Sequence, residues 1–283
     1  MNVKSLESTD FEIIASAFNE AFCKYEIQIS KQELSLMLKR RGFVPDLSFG
    51  AFDGERLVSF TLNGIGPYNG VLTAYDTGTG TLEEYRGKGL ASEVFNYSLP
   101  FLKKAGVGQY LLEVLQHNTT AVSVYKSQGF MTTREFGYYR IKQSEICLRD
   151  YTHSPRFGFQ KISLDQVRCC ATFQDFLPSW QNSFESIARS QEGFKFLGAS
   201  DNDKLIGYCI LKPKSGDITQ IAVDKKYRRQ GVGTSLLSHA LRLNENESIK
   251  VVNTDVTCTS ISGFFESNSI YMSGKQYEMI KNL

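Results

Sequence analysis

The sequence predicts an α/β protein that consists of two similar domains. A turn rich in glycine and arginine occurs twice, as the first glycine turn, Glu83–Ala91, and the second glycine turn, Lys226–Gly233. A hairpin pattern lies ahead of each turn, and its second copy, Gly198–Tyr208, follows Gly50–Phe60 residue by residue. Strand-like and helix-like runs alternate around both copies, as in helices layered on a mixed sheet. Two repeats of this length indicate two copies of one domain.

Length, composition and charge narrow the class of protein. A chain of 283 residues with 41% hydrophobic and 22% charged residues can bury two domain-sized cores. Its net charge of +2 arises from mixed signs without long basic runs, which argues against a nucleic-acid or anionic-membrane partner. Apolar runs are too short to span a bilayer and the first residues are too polar for a signal peptide, so we expect a cytoplasmic protein. The cysteines and histidines lack the spacing of zinc ligands, and neither a metal nor a disulfide is expected.

The first half opens with a short strand near Val3–Leu6 and two helices. Apolar residues recur at helical spacing over 11–22, after a cap at Ser8–Asp10. Ser30 and Glu33 have the spacing of a capping box, which predicts the start of the second helix.

A hairpin and a long strand lead into the first glycine turn. Leu47–Phe52 and Leu57–Leu62 flank Asp53–Gly54, a dipeptide typical of hairpin turns. Val71–Leu82 follows as a strand, and the glycines near its end predict a bulge or an irregular edge along which a ligand can pair.

The elements after the turn complete the first domain. A helix from Leu90 should be kinked by Pro100 or have its last turns remade there, and the apolar run Tyr110–Leu115 predicts a buried strand. Asn118–Lys126 follows as a short helix and Phe136–Ile141 as the last strand.

Periodicity fails between Gln143 and Arg156, where Ser, Asp, His and Pro accumulate, which predicts a linker. The predicted domains are therefore residues 1–142 and 157–283, joined by 143–156. The second domain restarts with a strand and two apolar helical runs, at 157–162, 164–176 and 180–188.

The chemistry of both glycine turns favours a phosphate ligand. Glycines allow close backbone approach, and the helix that follows points its positive N-terminal end at the same place. Arg86 and Arg228 can donate bidentate hydrogen bonds to phosphate oxygens, and Lys88 adds a charge. A plain helix cap is the alternative for one isolated copy, and the duplication favours the phosphate site. The spacing is that of neither a P-loop nor a dinucleotide fingerprint.

Two segments resemble the diagnostic motifs of the GNAT N-acetyltransferase superfamily. The Arg-x-x-Gly-x-Gly/Ala turn resembles its pyrophosphate-binding motif, with the matching residues Arg86, Gly89 and Ala91 and then Arg228, Gly231 and Gly233. Leu112–Val114 followed by Asn118–Phe130 resembles its second segment, a strand with Glu, then Asn-x-x-Ala, then Tyr-x-x-x-Gly-Phe. The resemblance implies two GNAT-like domains, each a mixed, mainly antiparallel sheet flanked by helices, with acetyl-CoA as cosubstrate.

The resemblance also implies which residues contact the cosubstrate. In the family the strand before the turn pairs with the pantetheine arm, the turn holds the pyrophosphate, and the Asn contacts the cofactor. Carried over, the contacts are Thr81, Leu82, Arg86, Gly87, Lys88, Gly89, Leu90, Ala91 and Asn118 in the first half, and Ala222, Val223, Arg228, Arg229, Gln230, Gly231, Val232 and Gly233 in the second.

Catalysis is expected in the first domain. By resemblance the Tyr125 hydroxyl lies near the CoA sulfur, where a phenol can protonate the departing thiolate. An acceptor amine must also lose a proton to a base or a water relay, and Asp76, Glu113 and His117 are the candidate bases. The structural alternatives are a core tyrosine for Tyr125 and a helix cap for Asn118.

The second half departs from the family pattern. Phe265 stands where Tyr125 stands in the first half, Cys258 replaces Asn118, and Ser269–Ile270 replaces the Gly-Phe end of the motif. A phenyl ring cannot donate a proton. This half therefore binds CoA without turnover, uses another acid, or serves as a structural partner of the first.

These observations predict an N-acetyltransferase that moves an acetyl group from acetyl-CoA to a primary amine of an unidentified small-molecule or peptide acceptor. Two alternatives share the fold: a non-catalytic acyl-CoA-binding or regulatory protein, and a tandem aminoacyl transferase that uses charged tRNA. Fold does not reveal the acceptor. The oligomeric state is left open.

Overall fold

The computed structural model describes residues 1–24, 29–148 and 157–283. These residues form two compact units. The N-terminal unit comprises Met1–Thr133 together with Tyr277–Leu283, and the C-terminal unit comprises Arg134–Gln276. Of the predicted linker, residues 149–156 lie outside the described residues, so the domain boundaries stay a prediction.

The N-terminal unit begins with the elements β1 (Asn2–Ser5), α1 (Phe11–Ala21) and α2 (Lys31–Arg41). The Asp10 carboxylate caps α1 by accepting a hydrogen bond from the Glu12 amide. The predicted capping box of Ser30 and Glu33 opens α2, and Gly42 ends it in the left-handed conformation.

A hairpin and a bulged strand make up the next part of this unit's sheet, as β2 (Phe49–Asp53), β3 (Arg56–Tyr68) and β4 (Val71–Thr81). The order β1-β2-β3-β4 is antiparallel throughout. Leu62 pairs with Gly78 and Asn63 pairs with Asp76, which leaves Thr77 as an extra residue in β4. The irregularity predicted near the end of this strand is therefore a bulge at Thr77.

The remaining elements of the N-terminal unit are α3 (Leu90–Lys104), β5 (Gln109–Leu115) and α4 (Thr119–Ser127). Pro100 is accommodated inside α3. β5 runs parallel to β4. The strand next to β5 is β12 (Met272–Asn282), whose residues from Tyr277 onward belong to this unit.

The strand predicted at 136–141 forms as β6 (Met131–Lys142), but it pairs with a strand of the C-terminal unit. The other elements of that unit are β7 (Phe157–Lys161), α5 (Leu164–Arg168), α6 (Phe184–Arg189), β8 (Lys195–Asp201), β9 (Lys204–Lys212), β10 (Asp217–Val223), α7 (Val232–Leu243), β11 (Ser248–Asp255) and α8 (Thr259–Glu266). The strand order is β6-β11-β10-β9-β8-β7, with β10 and β11 parallel and the other pairs antiparallel.

The two long helical runs predicted in the second half, at 164–176 and 180–188, are wrong in length. α5 and α6 hold five and six residues, and short 3-10 turns at Ala171–Phe173 and Trp180–Asn182 take up part of the remainder. Pro178 cannot donate a helical hydrogen bond, and the Ser183 hydroxyl caps α6 by accepting from the Ser186 amide. These residues break the apolar pattern into short pieces.

Each unit has its own apolar core. In the N-terminal unit Phe49, Phe60 and Val94 are fully buried between the sheet and the helices. In the C-terminal unit Ile206 and Leu236 are equally buried. Full burial of such side chains stabilises a fold by about 1.5–3 kcal/mol each. Within the described ranges, no helix has the length and apolar character needed to cross a bilayer.

Candidate functional site

The first glycine turn ends at the N-terminus of α3. Gly87 and Gly89 have φ angles of 74° and 77°, in the left-handed region that favours glycine. A Cβ atom at either position would meet nothing within 4 Å, so the turn needs glycine for its backbone conformation and not for space. Gly89 precedes α3 without a side-chain cap in the described part of the chain. The first amides of this helix are therefore available to an anionic ligand.

Arg86 holds the first glycine turn in shape. Its Nε donates to the Thr81 carbonyl over 3.0 Å, and its terminal nitrogen donates to the Ala21 carbonyl over 2.7 Å. Lys88 places its ammonium 4.9 Å from the centroid of the Tyr85 ring. The sequence had suggested that the Arg86 guanidinium binds phosphate, whereas here two of its nitrogens donate to backbone carbonyls.

Arg228 repeats this arrangement in the second glycine turn. Its Nε donates to the Val223 carbonyl over 3.0 Å, again five residues earlier in the chain. Its terminal nitrogen donates to the Phe173 carbonyl over 3.2 Å and forms an ion pair with Asp175 at 3.0 Å. In both units the arginine thus joins the turn to the end of the preceding strand.

The pairing of β4 with β5 ends before β4 reaches the first glycine turn. Their parallel ladder joins Thr73–Tyr75 to Gln109–Leu111, and the bulge at Thr77 follows immediately. The β5-facing edge of β4 from Asp76 to Thr81 therefore lies beyond this ladder. Leu82, the last residue before the turn, is buried and donates its amide to the Val58 carbonyl. This arrangement leaves a strand edge along which an extended chain can lie, beside the turn.

Tyr125 on α4 contacts a carboxylate on the bulged strand. Its hydroxyl donates to Oδ2 of Asp76 over 3.4 Å. Asp76 also accepts from the Thr79 hydroxyl and the Gly78 amide, each over 2.9 Å. Burial raises the pKa of Asp76 to about 6, although these hydrogen bonds act in the opposite direction. The Asp76 carboxylate can therefore exchange a proton near neutral pH.

The other candidate residues of the first half have different surroundings. Glu113 on β5 accepts a hydrogen bond from the buried Tyr75 hydroxyl over 2.5 Å, and burial together with this charge raises the pKa of Tyr75 well above its usual value. His117 is exposed in the turn before α4. The Asn118 side chain accepts from the Ala121 amide over 3.2 Å and so caps α4. Among the candidate bases, Asp76 accepts a hydrogen bond from Tyr125.

The C-terminal unit contains a cavity of about 200 Å³ beside the second glycine turn. Its walls come from β10, β11, α8 and the segment around Phe173–Pro178. Six of the predicted contacts line it, namely Ala222, Val223, Arg228, Arg229, Gly231 and Gly233. Arg229 has a φ of 60° at the position where the first turn has Gly87. Gln230 lies in the same turn, and Val232 is buried at the start of α7.

Neutral amides and a tyrosine are among the residues that line this cavity. The Gln174 side chain donates to the Tyr208 hydroxyl over 3.0 Å, and Tyr208 donates to the Gln220 carbonyl oxygen over 2.9 Å. Gln220 donates in turn to the Asn182 backbone over 2.6 Å. Burial raises the pKa of Tyr208, which keeps its phenol neutral. The sequence analysis missed these residues because they are single polar residues on four separate segments.

Titratable residues of the first site have uncharged counterparts in the C-terminal unit. Thr219 is the extra residue of a bulge in β10, as Thr77 is in β4, so Ile218 occupies the position of Asp76. Phe265, the counterpart of Tyr125, is fully buried in the core. The same spacing places Asn253 at the position of Glu113.

Comparison with known proteins assigns the family. The profile of the acetyltransferase (GNAT) family matches residues 12–130 and 162–260, which together exceed half of the chain. The chain belongs to this family. Across the described residues, no group of three or more His, Cys, Asp or Glu side chains is placed to hold a metal ion.

Two curated proteins are similar to part of the chain. N-alpha-acetyltransferase 30 of Schizosaccharomyces pombe is 31% identical over 97 residues, which are 34% of this chain and 65% of that protein. The uncharacterized N-acetyltransferase YobR of Bacillus subtilis is 32% identical over 99 residues, or 34% of this chain and 36% of that protein. The matches thus span less than two thirds of either relative.

A solved structure is similar over almost the whole chain. A tandem GNAT protein from the clavulanic acid biosynthesis pathway superposes with a TM-score of 0.74 at 13% identity, covering 99% of this chain and 98% of that one. At this identity the likeness concerns the fold. The chain therefore has the predicted α/β fold with two GNAT-like halves.

Proposed function

We propose that the N-terminal unit transfers an acetyl group from acetyl-CoA to a primary amine of a small-molecule or peptide acceptor. The hydrogen bond between Tyr125 and Asp76 is the observation that carries this proposal, because it pairs a phenol with a carboxylate of raised pKa on the strand that leads into the first glycine turn. Membership of the GNAT family supports acyl transfer as the class of reaction.

The first glycine turn fits the charged end of CoA. The N-terminal end of α3 attracts anions. At this end lie the backbone of Gly87 and Gly89 and the first amides of the helix, from Leu90 and Ala91 onward. Arg86 fixes the turn, and Lys88 adds a positive charge. The β4 edge up to Thr81 and Leu82 has the extended form to which a pantetheine arm can pair.

The Tyr125 and Asp76 side chains can move the protons that the reaction requires. Acetyl-CoA supplies an acetyl group activated as a thioester. Asp76 takes a proton from the acceptor nitrogen as the new amide bond forms. Tyr125 gives its hydroxyl proton to the departing sulfur and regains one from Asp76 through their hydrogen bond. One proton thus passes from amine to thiol, and both side chains end in their starting states.

Glu113 is the second candidate base in this proposal. It lies on β5, the strand paired with β4, and accepts a hydrogen bond from Tyr75. Asn118 acts through its cap on α4, which carries Tyr125.

A second proposal concerns the C-terminal unit, which we infer binds CoA without transferring its acyl group. The cavity adjoins the second glycine turn, and its walls are largely apolar side chains and neutral amides. Ile218, Asn253 and Phe265 stand where the first site has Asp76, Glu113 and Tyr125. None of these three side chains can exchange a proton, so binding is retained without the groups that transfer needs.

The proposed function is tested by a panel of acceptors with acetyl-CoA, comprising amines, amino acids, polyamines, aminoglycosides and peptides. The expected result is free-thiol release that depends on one class of amine, with an acetylated product of matching mass. Tight CoA binding without any transfer would favour the acyl-CoA-binding alternative. Transfer from radiolabelled charged tRNA, with no reaction of acetyl-CoA, would favour the aminoacyl transferase.

A further inference from the structure

The last seven residues of the chain complete the N-terminal unit. Tyr277–Leu283 belong to this unit and continue its sheet next to β5. Met279 is fully buried in the apolar cluster that Tyr125 packs against. The Leu283 amide donates to the Gly108 carbonyl over 3.0 Å. The helix with the proposed catalytic tyrosine therefore rests on a strand from the far end of the sequence.

Lys281 on this strand contacts the end of α4. Its ammonium donates to the backbone carbonyl of Gln128 over 2.6 Å, and Gln128 is the residue that terminates α4. A cation at the C-terminal end of a helix also interacts favourably with the helix dipole. A Cβ atom on Gly129 would lie 3.0 Å from the ammonium, so a glycine at this position leaves room for the lysine.

Gln128 also connects α4 to the first glycine turn. Its side-chain amide donates to the Ser92 hydroxyl over 3.1 Å. Ser92 lies in the first turn of α3, the helix whose N-terminal amides we assign to the CoA phosphates. Through its backbone amide, Gln128 donates to the carbonyl of Tyr125 itself. Gln128 thus connects Lys281 both to α3, the proposed phosphate-binding helix, and to the catalytic tyrosine.

We propose that Lys281 is a positioning residue of the N-terminal site, which holds the end of α4 so that the Tyr125 hydroxyl stays against Asp76. Its effect on turnover rests on the proposed function, whereas its effect on α4 does not. It follows that residues 1–142 alone do not contain the whole acetyl-transfer site.

The test compares Lys281→Met, Lys281→Arg and the matched control Lys275→Met in the full chain. Lys275 is an exposed lysine on the same strand, six residues earlier. We expect Lys281→Met to lower kcat about tenfold, because small displacements of a catalytic group are costly, while KM for acetyl-CoA changes less than about twofold. Lys281→Arg should restore kcat, since a guanidinium can donate to the same carbonyl.

Hydrogen exchange provides a measurement that does not depend on activity. Amides of residues 119–130 should exchange faster in Lys281→Met than in Lys275→Met, at an unchanged melting temperature. Equal exchange and equal kcat in the two variants would overturn the proposal, as would a loss of kcat that Lys281→Arg does not restore. If the unaltered protein transfers no acetyl group, the proposed function fails, and the exchange comparison still decides the role of Lys281.

Discussion

The two glycine turns have almost the same backbone and very different surroundings. Gly89 and Gly231 precede their helices with φ angles of 77° and 82°, and Arg86 and Arg228 each bond to the carbonyl five residues earlier. This similarity shows that the turn is a local structural motif, because its shape depends on glycine conformation and on one arginine. The chemistry beside it is supplied by other elements.

Those other elements differ between the two units. In the N-terminal unit the bulged strand presents Asp76 to Tyr125, whereas the C-terminal unit has Ile218 and the buried Phe265 at these positions. The C-terminal unit has a cavity that neutral amides help to line. One unit of this fold can therefore keep a cleft that holds a ligand while lacking the side chains that react with it.

The largest effect is expected from Tyr125→Phe, which removes the proton donor and keeps the ring. We expect kcat to fall by about 10²–10⁴, the usual range for loss of a general acid or base, with CoA affinity unchanged. Tyr97→Phe, at an exposed tyrosine on α3, is the control. Steady-state kinetics measure kcat and calorimetry measures CoA affinity. An unchanged kcat in Tyr125→Phe would show that another group protonates the thiolate.

Next in size is the contrast between Gly89→Glu and Gly231→Glu. Each variant places a strained, negatively charged residue in one glycine turn, so each should weaken CoA binding to its own unit by at least about 100-fold. Turnover should be lost in Gly89→Glu and should stay within about twofold of the original in Gly231→Glu. Calorimetry gives the number of CoA molecules bound per chain, and kcat shows which of the two sites supports turnover. If Gly231→Glu lost turnover and Gly89→Glu kept it, the active site would lie in the C-terminal unit.

The pH profile should show the Asp76 base of the N-terminal unit. Asp76 works as a base when it is deprotonated, so kcat/KM should rise with pH through about 6 and be lower by about tenfold at pH 5 than on the plateau. In Asp76→Asn this limb should disappear together with most of the activity. Glu113→Gln is the matched comparison: if it removes the limb and Asp76→Asn keeps it, the base is Glu113.

The smallest effect concerns the boundary between the two predicted domains. Limited trypsin digestion should cut first within 143–156, as expected for a linker. The two fragments should stay together on gel filtration, because Tyr277–Leu283 complete the N-terminal unit. First cuts within the hairpins, or fragments that separate at once, would contradict this arrangement.

Much of the fold could be predicted because it is encoded over a few residues at a time. The capping box at Ser30, the hairpin turn at Asp53–Gly54 and the irregular end of β4 all formed as expected. Helix length in 164–188 could not be predicted well, since apolar spacing alone does not show that 3-10 turns follow α5 or that Ser183 caps a new helix. The strand 136–141 was predicted correctly, but no partner strand could be predicted for it.

By itself the sequence determined the duplication, the family and both glycine turns, since these depend on local backbone preferences and on motif spacing. Tertiary structure decided which carboxylate meets Tyr125, what the arginines hold, which amides line the C-terminal cavity and where the last strand lies. Asp76 and Tyr125 are 49 residues apart, and Gln128 and Lys281 are 153 residues apart. Contacts over such separations depend on how whole elements pack, and no local pattern in the chain records that packing.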